Sequence, residues 1–187
     1  MRLFVGVPLP ADVRERLSIL AAGVPGARWM RPDSFHLTLR FLGEVDGALA
    51  DDVAGELSRI RCPEFDICVR GVGGFGDRRR TRVLWAGIAG SPELGRLQQK
   101  VEVALQRAGL EPEHRKYHPH ITLARLKDVP TARLERFLSS NGFFQTRSFT
   151  VDTFTLFESL PSSEGSFYRP LAEYELDPAM LAAVGNP

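Results

Sequence analysis

Sulfur is scarce in this sequence: Cys62 and Cys68 are its only cysteines among 187 residues. Their spacing matches neither a zinc knuckle nor a Cys-x-x-Cys redox pair, and one pair cannot staple a secreted mini-fold. Both are expected to be reduced thiols in the cytoplasm. A charge surplus is missing as well. Lys and Arg total 24 against 23 Asp and Glu, for a net charge of +1. No global basic field advertises nucleic acid and no acidic excess advertises a solvating tail, so any polyanion site must be local. No apolar run approaches the ~18 residues a membrane span needs. Pro8 and Pro10 interrupt the first apolar stretch before a signal h-region develops, so neither export nor membrane insertion is expected.

What is present is an ordinary globular composition, 43% hydrophobic and 25% charged, which argues for one compact fold. Residues 2–7 read as a buried strand, and 10–22 as a helix with Val13, Leu17 and Leu20 at helical spacing. From 34 to 42 the period is two: Phe35, Leu37, Leu39 and Phe41 face one way, His36, Thr38 and Arg40 the other. A helix fits 49–60, then strands at 65–72 and 82–88 around a glycine- and arginine-rich loop, 73–82. Residues 92–108 carry a helix capped by Ser91 and ended by Gly109. Beyond it come a strand at 119–126, a helix at 131–140 and strands at 147–157 and 167–176, with the last ten residues expected to fray. Strands and helices mixed in this order give an α+β chain.

A weak repeat runs through it. Phe35-His36-Leu37-Thr38-Leu39 lies over Pro119-His120-Ile121-Thr122-Leu123 at an offset of 84 residues (120 − 36), and Val45 and Val129 also coincide. The expected architecture is bilobal: two pseudo-symmetric lobes, each with an antiparallel sheet flanked by helices, and a central cleft that holds both His-x-Thr strands.

In each copy His and Thr are two apart and share one strand face, while the intervening Leu37 or Ile121 anchors the other. Neither motif has paired carboxylates to cage a metal, and no Ser or Cys stands beside a histidine as a nucleophile. The histidines are left to move protons. One neutral imidazole can take a proton from water while the other, protonated, donates to a leaving oxygen, which suits phosphodiester cleavage without a cofactor. Thr38, Thr122, Arg40 and Arg125 are the candidates to hold nonbridging phosphate oxygens. Arg40, four after His36, falls on the histidine's face of an ideal strand. Arg125, five after His120, needs a bulge or strand end to reach it.

These residues resemble the 2H phosphoesterases, and within them the LigT-like RNA 2′,3′-cyclic phosphodiesterases, historically called 2′-5′ RNA ligases. His36-Leu37-Thr38-Leu39 and His120-Ile121-Thr122-Leu123 match the two His-x-Thr-x motifs. The Leu3-Phe4-Val5 strand, the Arg82-Val83-Leu84-Trp85 strand and the Pro119–Arg125 context extend the likeness over essentially the whole chain. The resemblance implies a single 2H phosphoesterase domain over 1–187, with two intertwined lobes. It implies hydrolysis of a terminal 2′,3′-cyclic phosphate to a 2′-phosphomonoester, reversible as 2′-5′ ligation, with His36 as proton donor and His120 as proton acceptor. The residues by themselves treat the two copies as equivalent.

Other readings compete. A small cyclic nucleotide could replace RNA as substrate, or the cleft could bind RNA ends without catalysis. His114, His118 and His120 suggest zinc, but that would consume His120, so no metal is expected and His118 is read as structural or at the rim. The arginines of 78–82 could grip RNA phosphates or simply be solvated. Tyr168 and Phe41 could stack on a base, with core packing the first expectation for Phe41. A monomer is expected.

Overall fold

The computed structural model describes residues 1–77, 80–162 and 165–178. Arg78, Arg79 and nearly all of the C-terminal stretch expected to fray lie outside the described residues.

Two antiparallel four-stranded sheets form the frame, with order β10-β9-β1-β3 in one and β2-β7-β6-β5 in the other. The first contains β1 (Arg2–Pro8), β3 (His36–Glu44), β9 (Thr153–Ser162) and β10 (Gly165–Glu175). The second contains β2 (Ala27–Trp29), β5 (Val69–Asp77), β6 (Arg80–Ile88) and β7 (His120–Leu126). A small ribbon pairs β4 (Phe65–Ile67) with β8 (Phe149–Val151). Each large sheet holds one His-x-Thr strand, as the repeat predicts, and β3 and β7 are in direct contact.

Burial explains the strands. β1 lies between β3 and β9. Its Leu3, Val5 and Val7 enter the core, while Phe4, equally buried, faces the opposite side beneath aromatic rings. A strand covered on both faces reads as one apolar run.

Among the described residues four α-helices cover the sheets: α1 (Ala11–Ser18), α2 (Gly47–Leu57), α3 (Pro92–Arg107) and α4 (Thr131–Asn141). The Ser91 hydroxyl accepts from the Leu94 N–H at 3.1 Å and Asp46 accepts from the Leu49 N–H at 2.8 Å, satisfying donors that the first turns of α3 and α2 leave open. Leu94, Leu97, Val101, Ala104 and Leu105 form the buried stripe of α3.

Three differences from the sequence reading have local causes. β2 is three residues long, too short to show a period. In the glycine- and arginine-rich segment, residues 73–77 and 80–82 are strand rather than loop, paired between β5 and β6, with Arg78 and Arg79 outside the described residues. There Gly73 lies under the Trp85 ring, where any Cβ would overlap it, so glycine marks close cross-strand approach rather than a turn. The span 147–157 divides at Asp152 into β8 and β9 because the two halves pair with different partners.

Candidate active site

The same irregularity follows each His-x-Thr pair. On β3, Thr38 lies opposite Gly6 but Arg40 lies opposite Val5, so the register slips at Leu39. On β7, Thr122 lies opposite Trp85 but Ala124 lies opposite Leu84, so it slips at Leu123. Directly opposed residues share a sheet face, and each bulge therefore inverts the alternation that follows. Arg40 joins Val5 on the core side and Phe41 joins Phe4 on the cleft side; Ala124 joins the buried Leu84, and Arg125 comes round to the cleft.

The bulge overturns the even alternation expected for 34–42. Phe41 is not a core residue: it is 57% exposed and packs on Phe4 with ring centroids 5.8 Å apart. Arg40 is largely covered, and its donors are committed. Its Nε donates to Glu102 at 2.8 Å, one terminal nitrogen to the Phe41 carbonyl at 2.5 Å and the other to the Glu111 carbonyl at 2.9 Å. Glu102 also accepts from Gln106 and from the Glu113 N–H. Burial alone would raise its carboxyl, but these bonds together hold it below its usual range.

Arg125 instead lines a cavity of about 160 Å³ with His36, Thr38, Thr122, Ser34, Phe41, Tyr168 and Arg2. Four of the six residues singled out in the motifs thus share one hollow. A second hollow, about 330 Å³, continues from Thr38 and Phe41 to His120, Phe75, Tyr117, Lys116 and Arg115, with Arg40 in its wall.

Each histidine is held in the same way. His36 Nδ1 lies 2.8 Å from the Ser34 carbonyl and His120 Nδ1 lies 2.8 Å from the His118 carbonyl. A carbonyl can only accept, so both Nδ1 atoms carry hydrogen and Nε2 is left to exchange a proton. Aromatic rings wall the imidazoles. His36 packs on Phe4 at 4.6 Å and meets the edge of Tyr168 at 4.8 Å, while His120 meets Phe75 at 4.8 Å.

Desolvation by this packing favours the neutral imidazole and brings the His36 pKa down to about 4, with a smaller push from His120. Burial lowers His120 as well, opposed by the bond to the His118 carbonyl. Burial raises the Tyr168 phenol, while nearby Arg125 and Arg2 pull it the other way. His118 packs on Trp85 at 5.0 Å and on Phe75 at 5.3 Å. Among the described residues no three His, Cys, Asp or Glu side chains gather as a metal-holding group.

Sequence reasoning missed three contributors. Arg2 reaches the cleft from β1. Tyr117 donates its hydroxyl to the Thr38 carbonyl at 3.1 Å, tying the approach to β7 onto β3. Gly6 lies beneath the first motif, where a Cβ would stand 3.0 Å from the Leu37 carbonyl oxygen and 3.5 Å from His36 Cδ2. Only the tyrosine three residues before His120 stood near a motif, and a hydroxyl aimed at a backbone carbonyl has no sequence signature.

The LigT-like phosphoesterase family model matches residues 7–85 and 88–168 of this chain, one motif in each part. The chain belongs to this family. Among LigT-like relatives, an RNA 2′,3′-cyclic phosphodiesterase of Aeropyrum pernix is 37% identical over 162 residues, covering 86% of this chain and 92% of its own. An RNA 2′,3′-cyclic phosphodiesterase of Escherichia coli is 33% identical over 179 residues, covering 94% and 96%. The crystal structure of E. coli LigT with 3′-AMP superposes with a TM-score of 0.78 at 30% identity, covering 94% of this chain and 97% of that one. A Thermus thermophilus protein gives 0.76 at 26% identity, covering 94% and 97%. Such agreement over nearly whole chains places the α+β, two-sheet architecture within the LigT-like fold.

Proposed function

We propose that this chain is an RNA 2′,3′-cyclic phosphodiesterase that opens a terminal cyclic phosphate to a 2′-phosphomonoester by two-histidine acid–base catalysis. The observation that carries the reading is the matched pair of imidazoles on facing strands. Each has Nδ1 committed to a carbonyl two residues upstream and Nε2 free for proton transfer. The names of the relatives from A. pernix and E. coli support the substrate class, and the 3′-AMP complex of E. coli LigT supports a nucleotide in the cleft.

His120 Nε2 takes a proton from water, whose oxygen attacks phosphorus in line with O3′. The P–O3′ bond breaks as the new P–O bond forms, and His36 Nε2 delivers its proton to O3′. The acid and base labels come from the family resemblance. Thr38, Thr122 and Arg125 hold the nonbridging oxygens, whose charge grows in the transition state. Arg40, with its donors spent on Glu102 and two carbonyls, supports the strand instead.

A cleft that holds His36 neutral can still use it as an acid. The bound phosphate brings the negative charge that stabilises an imidazolium, so His36 takes up a proton from solvent as the substrate binds. The test is incubation, in EDTA, with an RNA oligonucleotide ending in a 2′,3′-cyclic phosphate. The expected product has the mass of one added water and its phosphate on O2′. An untouched end, or a 3′-phosphate, overturns the reading or its assignment of acid and base.

A further inference from the structure

Away from the cleft, α3, the end of α2 and the segment just after it line an open groove of about 540 Å³ with Arg59, Arg61, Arg96, Lys100, Arg107 and, among the described residues, a single carboxylate, Glu56. In a chain of net charge +1 this is a concentrated positive field. Arg96, Lys100, Val103 and Arg107 recur at intervals of four, three and four along one exposed stripe of α3. Arg59 pairs with Glu56 and Arg96 with the peripheral Glu93. Among the described residues neither Lys100 nor Arg107 has an acidic partner. An apolar pair, Ile60 and the 42% exposed Val103, lies among the cations.

α3 also belongs to the active site. Gln98 lines the hollow that holds His120, and the adjacent Gln99 lines this groove. The two depressions thus flank one helix, about 10–12 Å across with its side chains. A single strand seated by its 3′ end beside His120 needs only a few nucleotides to cross it.

We propose that the α2–α3 groove is a second RNA site that grips the phosphodiester backbone upstream of the reacting end, so that the protein favours oligonucleotides over cyclic mononucleotides. The inference rests on the RNA-end reading. Lys100, Arg107 and Arg96 supply the phosphate contacts, and exposed apolar surface between them accepts a base or ribose.

The test uses two triple variants of the full chain, R96Q/K100Q/R107Q and the charge reversal R96E/K100E/R107E. Each is first matched to the parent by circular dichroism. Binding is read by fluorescence anisotropy with a labelled RNA of about a dozen nucleotides that ends in an unreactive 3′-hydroxyl. The glutamine variant should bind about tenfold more weakly, and its log Kd against log salt should be shallower by about 2, as expected for three lost phosphate contacts at ~0.7 each. The glutamate variant should bind weaker still. With a cyclic phosphate on the same RNA, KM should rise about tenfold and kcat should hold, while turnover of a cyclic mononucleotide is unchanged. Unaltered binding and salt slope, or equal loss on both substrates, overturns the proposal. Because the hydroxyl-ended RNA needs no chemistry, this outcome stands apart from failure of the hydrolysis reading.

Discussion

At the residue scale, the contrast between Arg40 and Arg125 is the sharpest consequence of the structure. Both follow a His-x-Thr pair, yet one enters the cleft and the other props up α3. Arg125→Ala is expected to lower kcat/KM about 10²-fold with little effect on melting, since it removes a charged donor aimed where charge develops. Arg40→Ala should do the reverse. It strips Glu102 of its guanidinium partner and costs about 1–3 kcal/mol of stability, while the surviving folded protein keeps its turnover within a few-fold. Steady-state kinetics and denaturant melts on both proteins decide this, and a catalytic loss for Arg40→Ala that matches Arg125→Ala would return Arg40 to the phosphate site. The histidines carry a pH signature as well. With His36 near 4 and His120 also lowered in the empty cleft, kcat/KM should be bell-shaped with its maximum below pH ~6.5, because that ratio reports the free enzyme. The kcat profile should lie at higher pH, since bound phosphate favours both imidazolium forms. A kcat/KM maximum above neutrality would contradict it.

At the scale of elements, the two bulges and the strand opposite β3 set the site. Gly6 takes an ordinary backbone conformation, so alanine there carries no dihedral penalty, only the approach of its Cβ to the Leu37 carbonyl and the His36 ring. Gly6→Ala should therefore cost kcat about tenfold or more by displacing His36, with a small change in melting temperature. A variant with parent-like kcat would show that β3 yields at no catalytic cost. Tyr117→Phe tests the other tether. Loss of its bond to Thr38 should cost about 1 kcal/mol and reduce kcat more than it changes KM, because both strands remain but their mutual position loosens. Equal kinetics in the phenylalanine protein would remove Tyr117 from the positioning set.

For the whole molecule, the half-buried imidazole of His36 links folding to proton concentration. His36 has its folded pKa depressed, so the unfolded chain binds the extra proton as pH falls through ~6.5, and stability declines from there until the folded histidine also titrates near 4. The sign is that of lost stability in acid, amounting to about 3 kcal/mol across the window at ~1.4 kcal/mol per unit. Urea midpoints measured from neutral to acid pH should show this slope in the parent and a shallower one in His36→Gln. Identical slopes would mean that the histidine titrates alike in both states.

The sequence by itself determined the longer elements and the motif chemistry. Period-two burial around His36, the apolar run of β1 and the capped stripe of α3 are local patterns written in residues near one another, and the repeat is legible because the same local pattern recurs 84 residues on. From them follow an α+β chain and two His-x-Thr pairs that face solvent from otherwise buried strands. Tertiary structure alone decided what lies one residue beyond each pair. A bulge is a relation between two strands, and nothing in Leu39-Arg40-Phe41 or Leu123-Ala124-Arg125 announces the slip that sends Arg40 inward and brings Phe41 and Arg125 to the cleft. The same holds for Gly6 and Tyr117, which act on the site through His36 and Thr38, 30 and 79 positions away, and for Arg2, which lines the same cavity as His36 from 34 positions away. Periodicity assumes an unbroken ladder, and cross-strand pairing is where the ladder breaks.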